Sequence, residues 1–455
     1  MFRRILVANR GEIAVRIIRC CRELGIESVA VYSSADKDAL HVQLATKAVC
    51  IGPAKSSDSY LNTKNILAAA LQTNCDAVHP GFGFLSENAH FARLCEECGL
   101  IFIGPNYKTI EMMGDKSKAV ALMRENNVPV VPGSNGAIDD VNEAQKLARE
   151  IGYPVLIKAA MGGGGRGMRR VYEDKDFAQA FMAAKREAEA CFGDGTVYLE
   201  KLIVNPKHIE FQILADKFGH TIHLGERDCS VQRRNQKLIE ESPCKILSPE
   251  LREKMGADAI KAAKAAGYYS AGTIEFVVDR ENNYYFIEMN TRIQVEHTVT
   301  EMLSGIDLIR QQILIACGLP LNIKQEDVQL KGWAIECRIN AENPKEDFRP
   351  CPGKINFLHF PAGNGVRVDS ALYNGYEISP FYDSMLAKII VHAPTRLDAI
   401  RKMRRALEEL VISGVDTTAN LNYLIMHHKD FVRGKYDTGF LDSNLEKILS
   451  WEDRY

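Results

Sequence analysis

A β-hairpin is predicted by residues 272–301, which read GTIEFVVDRENNYYFIEMNTRIQVEHTVTE. Polar and apolar side chains alternate over 273–278, a period of two that is typical of a strand. Residues 279–283 are polar turn material, and strand character resumes over 284–289. The segment therefore predicts two antiparallel strands joined by a short turn.

The pairing of these strands sets acidic side chains opposite each other. If the turn centres between residues 281 and 282, Glu275 lies opposite Glu288 and Thr273 lies opposite Asn290, all on one face. Two carboxylates that face each other repel, so a sheet avoids this pair unless a cation lies between them. Carboxylate and amide oxygens suit Mg²⁺, which proteins usually hold with one or two carboxylates and substrate phosphates. We therefore predict a magnesium site on this face.

The same alternation continues through Arg292, Gln294 and Glu296 if the chain stays extended. A solvated strand face with surface ion pairs would explain any two of these residues, and that alternative stays open for them. For the whole set we favour a functional site, because clustered ionisable groups are typical of sites with shifted pKa values.

Length and composition indicate a soluble protein of several domains. The chain has 455 residues, too many for one ordinary core. Its 46% hydrophobic and 25% charged residues are usual for globular proteins, and a net charge of −2 gives no electrostatic reason to expect nucleic acid or a membrane as partner. The start, MFRRILVANRGEIA, runs directly into a strand and helix and leaves no room for a targeting peptide. We expect a cytoplasmic protein.

The twelve cysteines are scattered without the spacing of a disulfide framework. Cys95 and Cys98 form one C-x-x-C motif within a predicted helix between residues 89 and 99. We interpret them as buried thiols in a reducing compartment, with a redox or zinc site as the alternative.

The first hundred residues predict a parallel, doubly wound α/β unit, since short apolar strands alternate with helices. A nicotinamide cofactor with Asp36 as the ribose-binding acid is an alternative. It is disfavoured because the first turn, Asn9-Arg10-Gly11-Glu12, lacks the G-x-G-x-x-G pattern. The predicted strands are 4–8, 28–32, 48–51 and 77–79, and the first predicted helix is 11–24.

A glycine-rich loop follows a predicted strand at 153–160, which carries Lys158. Four consecutive glycines in MGGGGRGMRRV cost backbone entropy, and they suit a loop that offers its N–H groups to an anion. No G-K-[ST] follows, so this is not a Walker loop. A flexible loop with a surface lysine is the alternative.

Eight motifs along the chain resemble those of one enzyme family. They are ILVANRGEIA, HPGFGFLSEN, GDKSKA, KAAMGGGGRGMR, ERDCSVQRR, FIEMNTRIQVEH, ECRINAE and YDSMLAKI. This set and its order resemble the biotin carboxylases of the ATP-grasp fold, and specifically the free-standing biotin carboxylase chain of acetyl-CoA carboxylases that are built from several subunits.

The resemblance implies a three-part architecture. It implies an N-terminal α/β domain at 1–114, an ATP-grasp region at 115–317 with a mobile glycine-rich lid at roughly 132–202, and a C-terminal mixed domain at 318–455. It also implies a homodimer.

The resemblance further implies ATP-dependent carboxylation of carrier-linked biotin by bicarbonate through carboxyphosphate, with magnesium or manganese. This would be the first half-reaction of acetyl-CoA carboxylase in fatty acid synthesis. The same half-reaction for another acyl-CoA or for pyruvate, a different ATP-grasp ligase, and a regulatory ATP-binding chain without catalysis are alternatives. No M-K-M biotinylation signal occurs in the sequence, so the biotin carrier and the carboxyltransferase are expected on other chains.

Site residues are implied by matching the motifs position by position. The nucleotide-binding residues would be Lys116, Lys158, Gly164, Gly165, Glu200, Lys201, Leu202, Ile203, His208, Gln232 and Asn235, together with Glu275 and Glu288. Within this set, 200–203 would hold the adenine and His208 the ribose. The metal ligands would be Glu275, Glu288 and Asn290, and the bicarbonate pocket Lys237, Arg292, Gln294 and Val295. Glu296 would be the general base, with Lys237, Arg292 and Arg338 as the other catalytic residues and Arg338 and Phe82 beside biotin.

Three positions depart from the family pattern. Asn235 stands where many members have His, and an amide cannot carry charge or a proton. Phe82 replaces a Tyr and so lacks a hydroxyl near the expected biotin pocket. Thr298 replaces a Pro, and we expect the loop after Glu296 to be less rigid as a result. We expect these changes to tune affinity and to preserve activity.

Overall fold

A computed structural model describes residues 1–134, 136–159 and 168–451. The predicted loop glycines Gly164 and Gly165 lie outside these described residues. Within the described ranges, no helix is both long enough and apolar enough to cross a bilayer.

The N-terminal region forms a five-stranded parallel sheet with the strand order β3-β2-β1-β4-β5, which confirms the predicted doubly wound unit. Helix α1 covers this sheet with Ile13, Ile17 and Ile18, which are spaced to fall on one helical face and are buried. The elements are β1 (Arg4–Val7), α1 (Gly11–Glu23), β2 (Glu27–Ser33), α2 (Leu40–Leu44), β3 (Lys47–Gly52), α3 (Thr63–Gln72), β4 (Ala77–His79), α4 (Ala89–Glu97), β5 (Ile101–Phe102) and α5 (Tyr107–Gly114).

Three helices of this region begin at asparagine caps. The side chains of Asn62, Asn88 and Asn106 accept hydrogen bonds from backbone N–H groups in the first turns of α3, α4 and α5. Each cap satisfies a donor that the helix cannot satisfy itself, and this explains where these helices start.

The lid region contains a small antiparallel sheet with the order β7-β6-β8, flanked by helices. Its strand β6 is the predicted lysine-bearing strand. Backbone bonds from Lys201 N to Pro132 O (2.7 Å) and from Leu202 N to Pro154 O (3.0 Å) connect the end of β8 to neighbouring segments. Helix α6 (Lys116–Glu125) precedes this region, whose elements are α7 (Val141–Ile151), β6 (Val155–Ala159), β7 (Met168–Val171), α8 (Phe177–Phe192) and β8 (Val197–Lys201).

An eight-stranded sheet with the order β13-β12-β9-β10-β11-β14-β21-β19 forms the centre of the molecule. Its first five strands in this order precede residue 318 and its last three follow it, so one sheet joins the two regions through the β11–β14 pair. The elements before residue 318 are β9 (Lys207–Ala215), β10 (Thr221–Arg233), β11 (Gln236–Ser242), α9 (Pro249–Ala265), β12 (Ser270–Val278), β13 (Tyr284–Asn290), α10 (His297–Ser304) and α11 (Leu308–Ala316).

The C-terminal region packs its helices against the far end of this sheet. Helices α12 and α13 bury Ile400, Met403 and Leu424 against β14 and β21, while α15 packs against β10 and α13 and buries Ile448. The elements are β14 (Trp333–Asn340), β15 (Glu342–Asn343), β16 (Arg349–Pro350), β17 (Gly353–Lys354), β18 (Phe357–His359), β19 (Val366–Ser370), β20 (Glu377–Ile378), β21 (Met385–Ala393), α12 (Arg396–Glu409), β22 (Val411–Ser413), α13 (Ala419–His427), α14 (Lys429–Arg433) and α15 (Phe440–Leu449).

The cysteines are free thiols. Cys95 is buried in α4 as predicted, but the prediction that Cys98 is buried is wrong, since it is exposed. Helix α4 ends at Glu97, so Cys98 follows the helix and does not lie on its buried face.

Candidate active site

The predicted hairpin register is confirmed. Strands β12 and β13 pair Glu275 with Glu288 and Thr273 with Asn290, and a bulge follows Glu275. Glu275 and Asn290 are buried, whereas Glu288 is half-buried. The two carboxylates of this pair therefore lie on one face of the sheet, beside the lid region.

Glu275 lies among several donors. Its Oε1 accepts hydrogen bonds from Lys237 Nζ (3.0 Å), Asn290 Nδ2 (2.9 Å) and Gln294 Nε2 (2.9 Å), and its Oε2 is 2.9 Å from His208 Nε2. Burial opposes ionisation, but attraction by Lys237 and His208 outweighs it and holds the pKa of Glu275 well below its ordinary value. Glu275 is therefore a carboxylate at neutral pH.

The chain does not stay extended through residue 296, the condition under which the alternation would continue. Strand β13 ends at Asn290, and the chain turns before α10 begins at His297. The turn still directs Gln294 toward Glu275 and Glu296 toward Lys237, so these side chains meet the hairpin face by another route. The contacts with Glu275 and Lys237 form because the turn brings both side chains to the hairpin face, although this segment is not a strand.

Lys237 on β11 joins three buried carboxylates. Its Nζ donates to Glu210 Oε2 (2.6 Å), Glu275 Oε1 (3.0 Å) and Glu296 Oε1 (2.6 Å). Burial disfavours the ammonium, but the three carboxylates outweigh this and raise the pKa of Lys237 well above its ordinary value. All three of its N–H donors are occupied.

Glu296 also contacts Arg338, so that a cation lies at each of its oxygens. Arg338 Nη2 donates to Glu296 Oε2 (2.9 Å), while Arg338 Nε donates to Glu240 Oε1 (2.6 Å). Burial would raise the pKa of Glu296, but Lys237 and Arg338 lower it well below its ordinary value. The predicted base is thus ionised and buried.

Arg292 contacts Glu87, a residue that we did not predict as part of the site. Its Nε donates to Glu87 Oε2 (2.9 Å), and its Nη2 donates to Asn290 Oδ1 (2.9 Å). The backbone N of Thr291 donates to the second Glu87 oxygen (3.1 Å). Glu87 belongs to the HPGFGFLSEN motif, and its long sequence separation from Arg292 hid the pairing.

Lys388 is a second such residue, and it lies in the YDSMLAKI motif. Its fully buried Nζ donates to the carbonyl of Val295 (2.7 Å) and lies 3.2 Å from a carboxylate oxygen of Glu12. The backbone of the predicted bicarbonate pocket is therefore held from β21 and, through Glu12, from helix α1.

A buried arginine, Arg227, holds two residues of the site through hydrogen bonds. Arg227 is fully buried and donates to Glu210 Oε1 (2.5 Å) and Gln294 Oε1 (2.6 Å). Neither Arg227 nor Glu210 was among the predicted residues. The alternation of polar side chains in HIEFQIL and ERDCSVQ was the available signal.

The two predicted nucleotide-binding lysines lie on α6 and on β6, each beside a glutamate. Lys116 Nζ lies 3.1 Å from Glu288 Oε2, and Lys158 is paired with Glu200. Burial lowers the pKa of Lys116, but Glu288 and, more weakly, Glu200 raise it overall. Glu200 therefore lies within electrostatic reach of Lys116.

The segment 200–203 spans the end of β8, with Glu200 and Lys201 in the strand and Leu202 and Ile203 after it. The Lys201 side chain is directed away from Lys158, since its Nζ donates to the carbonyls of Gly152 (2.7 Å) and Tyr153 (3.1 Å). Leu202 and Ile203 are half-buried in the chain that leads to β9.

Of four further predicted residues, the structure ties His208 and Gln232 to this centre, whereas Asn235 and Phe82 lie in a turn and against a hydrophobic core. His208 contacts Glu275, a predicted metal ligand, and Gln232 is buried opposite Lys237 in the β10–β11 pair. Asn235 is exposed in the β10–β11 turn at φ 66°, a left-handed conformation that asparagine tolerates well. Phe82 packs against the N-terminal core, half-buried.

The expectation of a less rigid loop at Thr298 is wrong. Thr298 is buried in the first turn of α10, where its hydroxyl donates to the buried carboxylate of Glu336. A proline at the first turn of a helix is compatible with helical geometry, and threonine there adds a hydrogen bond that proline cannot make.

The donor set of the hairpin fits a divalent cation. Glu275 and Glu288 face each other directly, and Lys116, Lys237 and the imidazole of His208 lie beside them. Two carboxylates with an adjacent amide oxygen are ligands that suit Mg²⁺ or Mn²⁺.

Comparisons with known proteins agree along the chain. Family models match at 1–110 (biotin carboxylase, N-terminal domain), 115–324 (carbamoyl-phosphate synthase L chain, ATP binding domain) and 336–443 (biotin carboxylase C-terminal domain). Biotin carboxylase 1 of Bacillus subtilis (strain 168) is 57% identical and covers 97% of this chain and 99% of its own length. A pyruvate carboxylase subunit of Methanothermobacter thermautotrophicus is 52% identical, over 97% of this chain and 90% of its own length.

A solved structure shows the same fold. The biotin carboxylase domain dimer of the Hydrogenobacter thermophilus 2-oxoglutarate carboxylase, in complex with MgADP, ADP and bicarbonate, has a TM-score of 0.93. It is 54% identical and covers 98% of this chain and 99% of its own. The chain therefore belongs to the biotin carboxylase family, whose members are ATP-dependent ligases of the ATP-grasp fold.

Proposed function

We propose that this chain carboxylates carrier-linked biotin with bicarbonate and ATP, through carboxyphosphate, to give carboxybiotin, ADP and phosphate. The observation that carries the proposal is the position of Glu296 between two cations, Lys237 at 2.6 Å and Arg338 at 2.9 Å. A buried carboxylate between two fixed cations can accept a proton from an anionic substrate that the same cations bind.

Bicarbonate would bind where Lys237, Arg292, Gln294 and the Val295 backbone converge. Because the N–H donors of Lys237 are already occupied, bicarbonate must replace one of its carboxylate contacts. Loss of the contact with Glu296 would raise the pKa of that carboxyl toward the range of a useful base. Glu296 would then take the bicarbonate proton as an oxygen attacks the γ-phosphorus of ATP.

On the nucleotide side, Lys116 and Lys158 would contact the phosphates, and Gly164 and Gly165, outside the described residues, are further predicted nucleotide-binding residues. The segment 200–203 would contact the adenine and His208 the ribose, with Gln232 and Asn235 nearby. Glu275, Glu288 and Asn290 would hold magnesium or manganese, which when bound supplies positive charge that offsets the phosphoryl oxygens.

On the biotin side, carboxyphosphate would release CO2, and the departing phosphate would take the proton from the ureido nitrogen. The deprotonated nitrogen would then attack CO2 and form the carbon–nitrogen bond of carboxybiotin. Arg338 would stabilise the negative charge that develops on the ureido oxygen, a preorganised electrostatic role. Phe82 would lie beside the ring without the hydroxyl of a tyrosine.

We further propose that this half-reaction serves an acetyl-CoA carboxylase in fatty acid synthesis, in the cytoplasm. The carrier and carboxyltransferase would be separate chains, and this chain would form a homodimer with domains at 1–114, 115–317 and 318–455. The B. subtilis relative supports the free-standing biotin carboxylase role, and the H. thermophilus relative supports the dimer. Relatives named for pyruvate and 2-oxoglutarate carboxylases make those acceptors the second candidates.

The testing experiment is ADP release by the purified chain with Mg-ATP and bicarbonate, with and without free biotin. We expect release that requires bicarbonate and that biotin stimulates strongly. A biotinylated carrier domain is then added, followed by the carboxyltransferase chain with acetyl-CoA, pyruvate or 2-oxoglutarate as acceptor. ADP release that neither biotin nor the carrier domain changes would contradict the proposal. The acceptor that becomes carboxylated identifies which holoenzyme this chain serves.

A further inference from the structure

Two buried glutamates that have no role in the proposed reaction face each other in the central sheet. The β11–β14 pair sets Glu240 directly opposite Glu336, and both side chains are fully buried. Side chains opposite each other on antiparallel strands approach to about 5 Å between Cβ atoms. Two ionised carboxylates at that separation, away from water, would repel strongly.

Each of the two carboxyl groups has one partnered oxygen and one unpartnered oxygen. Glu240 Oε1 accepts from Arg338 Nε (2.6 Å), and Glu336 Oε2 accepts from the hydroxyl of Thr298. Within the described ranges, neither Glu240 Oε2 nor Glu336 Oε1 has a hydrogen-bond partner, and both atoms are buried. Buried acceptors are normally satisfied, so a donor is missing between these two groups.

The surrounding charges do not supply that donor. Arg338 on β14 and Lys237 on β11 are shared with Glu296, which adds a negative charge on the same side. Lys388 on β21 attracts Glu336, but its Nζ donates to the Val295 carbonyl and lies closer to other carboxylates, at 3.2 Å from Glu12 and 4.0 Å from Asp369. The neighbouring helix α10 contributes the Thr298 hydroxyl, which donates to the other oxygen of Glu336.

We propose that Glu240 and Glu336 hold one proton between them at neutral pH, as an acid–carboxylate pair, and thereby act as positioning residues for Arg338. A single O–H donates from one carboxyl group to the other, which removes the repulsion and satisfies both buried oxygens. The inference rests on the proposed function for the role of Arg338.

The electrostatics agree with this geometry. Burial raises the pKa of Glu240 to about 7 despite attraction by Arg338, and burial raises the pKa of Glu336 to about 8 despite attraction by Lys388. Because Arg338 donates directly to Glu240 and not to Glu336, the charge of the pair is stabilised on Glu240 and the shared proton on Glu336. Loss of the proton would put a second anion beside Arg338 and hold its guanidinium in the sheet, away from the ureido oxygen.

The kinetic test compares the wild type with Glu336→Gln, because a neutral amide copies the protonated acid in shape and in its N–H donor. We expect similar biotin-dependent kcat/KM values near pH 7. One pH unit above a pKa, about one molecule in ten keeps its proton, so by about pH 9 the wild type should fall roughly tenfold relative to the variant. The biotin-independent, bicarbonate-dependent ATP turnover should change with pH identically in both proteins. Parallel biotin profiles would overturn the inference.

Thr298→Val provides a second variant. The Thr298 hydroxyl bonds the ionised form of Glu336 and so lowers its pKa. Its removal should therefore shift the alkaline loss of biotin-dependent turnover to higher pH, while the branched side chain preserves packing. If Glu336→Gln does not fold, this shift decides the question, and an unmoved profile refutes the shared proton.

Thermal stability without substrates tests the proton independently of activity. The unfolded chain loses the Glu336 proton above its ordinary pKa of 4.5, whereas the native protein keeps it up to about pH 8. The stabilisation by this proton therefore declines as the pH rises from 4.5 to about 8. The thermal midpoint of the wild type should therefore fall relative to that of Glu336→Gln over this pH range, and the two midpoints should change in parallel at higher pH. If the midpoints differ in this way but no biotin-dependent turnover is found, the shared proton stands and the proposed function is rejected. Midpoints that stay parallel at every pH would reject the shared proton.

Discussion

Replacing Arg338 with alanine removes the guanidinium that connects Glu240 to Glu296. Its Nε lies 2.6 Å from Glu240 and its Nη2 lies 2.9 Å from Glu296, and both carboxylates are buried. Loss of one preorganised donor to a developing oxyanion typically reduces kcat by about a hundred- to a thousandfold, roughly 2.7–4 kcal/mol. We expect a loss of this size in biotin-dependent turnover.

The same substitution destabilises the fold. Removing one partner of a buried ion pair typically costs about 3–5 kcal/mol. Glu296 keeps its contact with Lys237, so the loss falls mainly on Glu240, whose other oxygen is already unpartnered within the described part of the chain. We therefore expect a lower thermal midpoint together with the kinetic defect.

The assay must separate these two effects. ADP release is measured with and without biotin, the KM for ATP is measured alongside, and Arg396→Ala serves as the matched control. Arg396 Nε and Nη2 donate to the buried Glu241 at 2.7 and 2.9 Å, next to Glu240 on the same strand but away from Glu296. We expect Arg396→Ala to lower the midpoint and to leave biotin-dependent turnover unchanged.

Two results would refute the reasoning. An increase in the KM for ATP as large as the loss of biotin-dependent turnover would mean that Arg338 serves the nucleotide and not biotin. An equal loss of turnover in Arg396→Ala would mean that the defect arises from weaker folding of the sheet.

Further substitutions test the metal site, the bicarbonate pocket and the N-terminal domain. Glu288→Gln should raise the Mg²⁺ concentration for half-maximal ADP release by at least about tenfold, because it removes a charged ligand, whereas Glu281→Gln in the exposed hairpin turn should not. Lys388→Met removes the 2.7 Å bond to the Val295 carbonyl and should raise the KM for bicarbonate by about ten- to a hundredfold, with an unchanged KM for ATP as the internal control. Burial opposes ionisation of Asp36, but its bonds with the Arg10 guanidinium lower its pKa, so its stabilising effect is present at neutral pH and is lost in acid. Between about pH 5 and pH 3, the thermal midpoint of the wild type should therefore fall more than that of Asp36→Asn; parallel curves would contradict this.

The hairpin register could be predicted from the sequence because it depends on local pattern alone. Alternation with a period of two and a polar turn place Glu275 opposite Glu288, whatever the rest of the chain does. The parallel N-terminal sheet was predictable for the same reason, since apolar strands and amphipathic helices alternate along the chain.

Local pattern failed where the chain leaves regular structure. The alternation through Gln294 and Glu296 continues in the sequence, but the backbone turns after Asn290. At Thr298, a departure from the family pattern suggested flexibility, and the helix together with the Glu336 contact produced order. In both cases packing against neighbouring strands decided the conformation, and no window of the sequence contains those neighbours.

The sequence by itself therefore determined the family, the chemistry of the hairpin and the identity of most candidate site residues. Only the tertiary structure decided how their charges are balanced. Lys237 meets Glu210, Arg292 meets Glu87, and these partners come from distant strands and loops. Coulombic interactions depend on distance in space and on burial, and neither quantity is encoded in the spacing of residues along the chain.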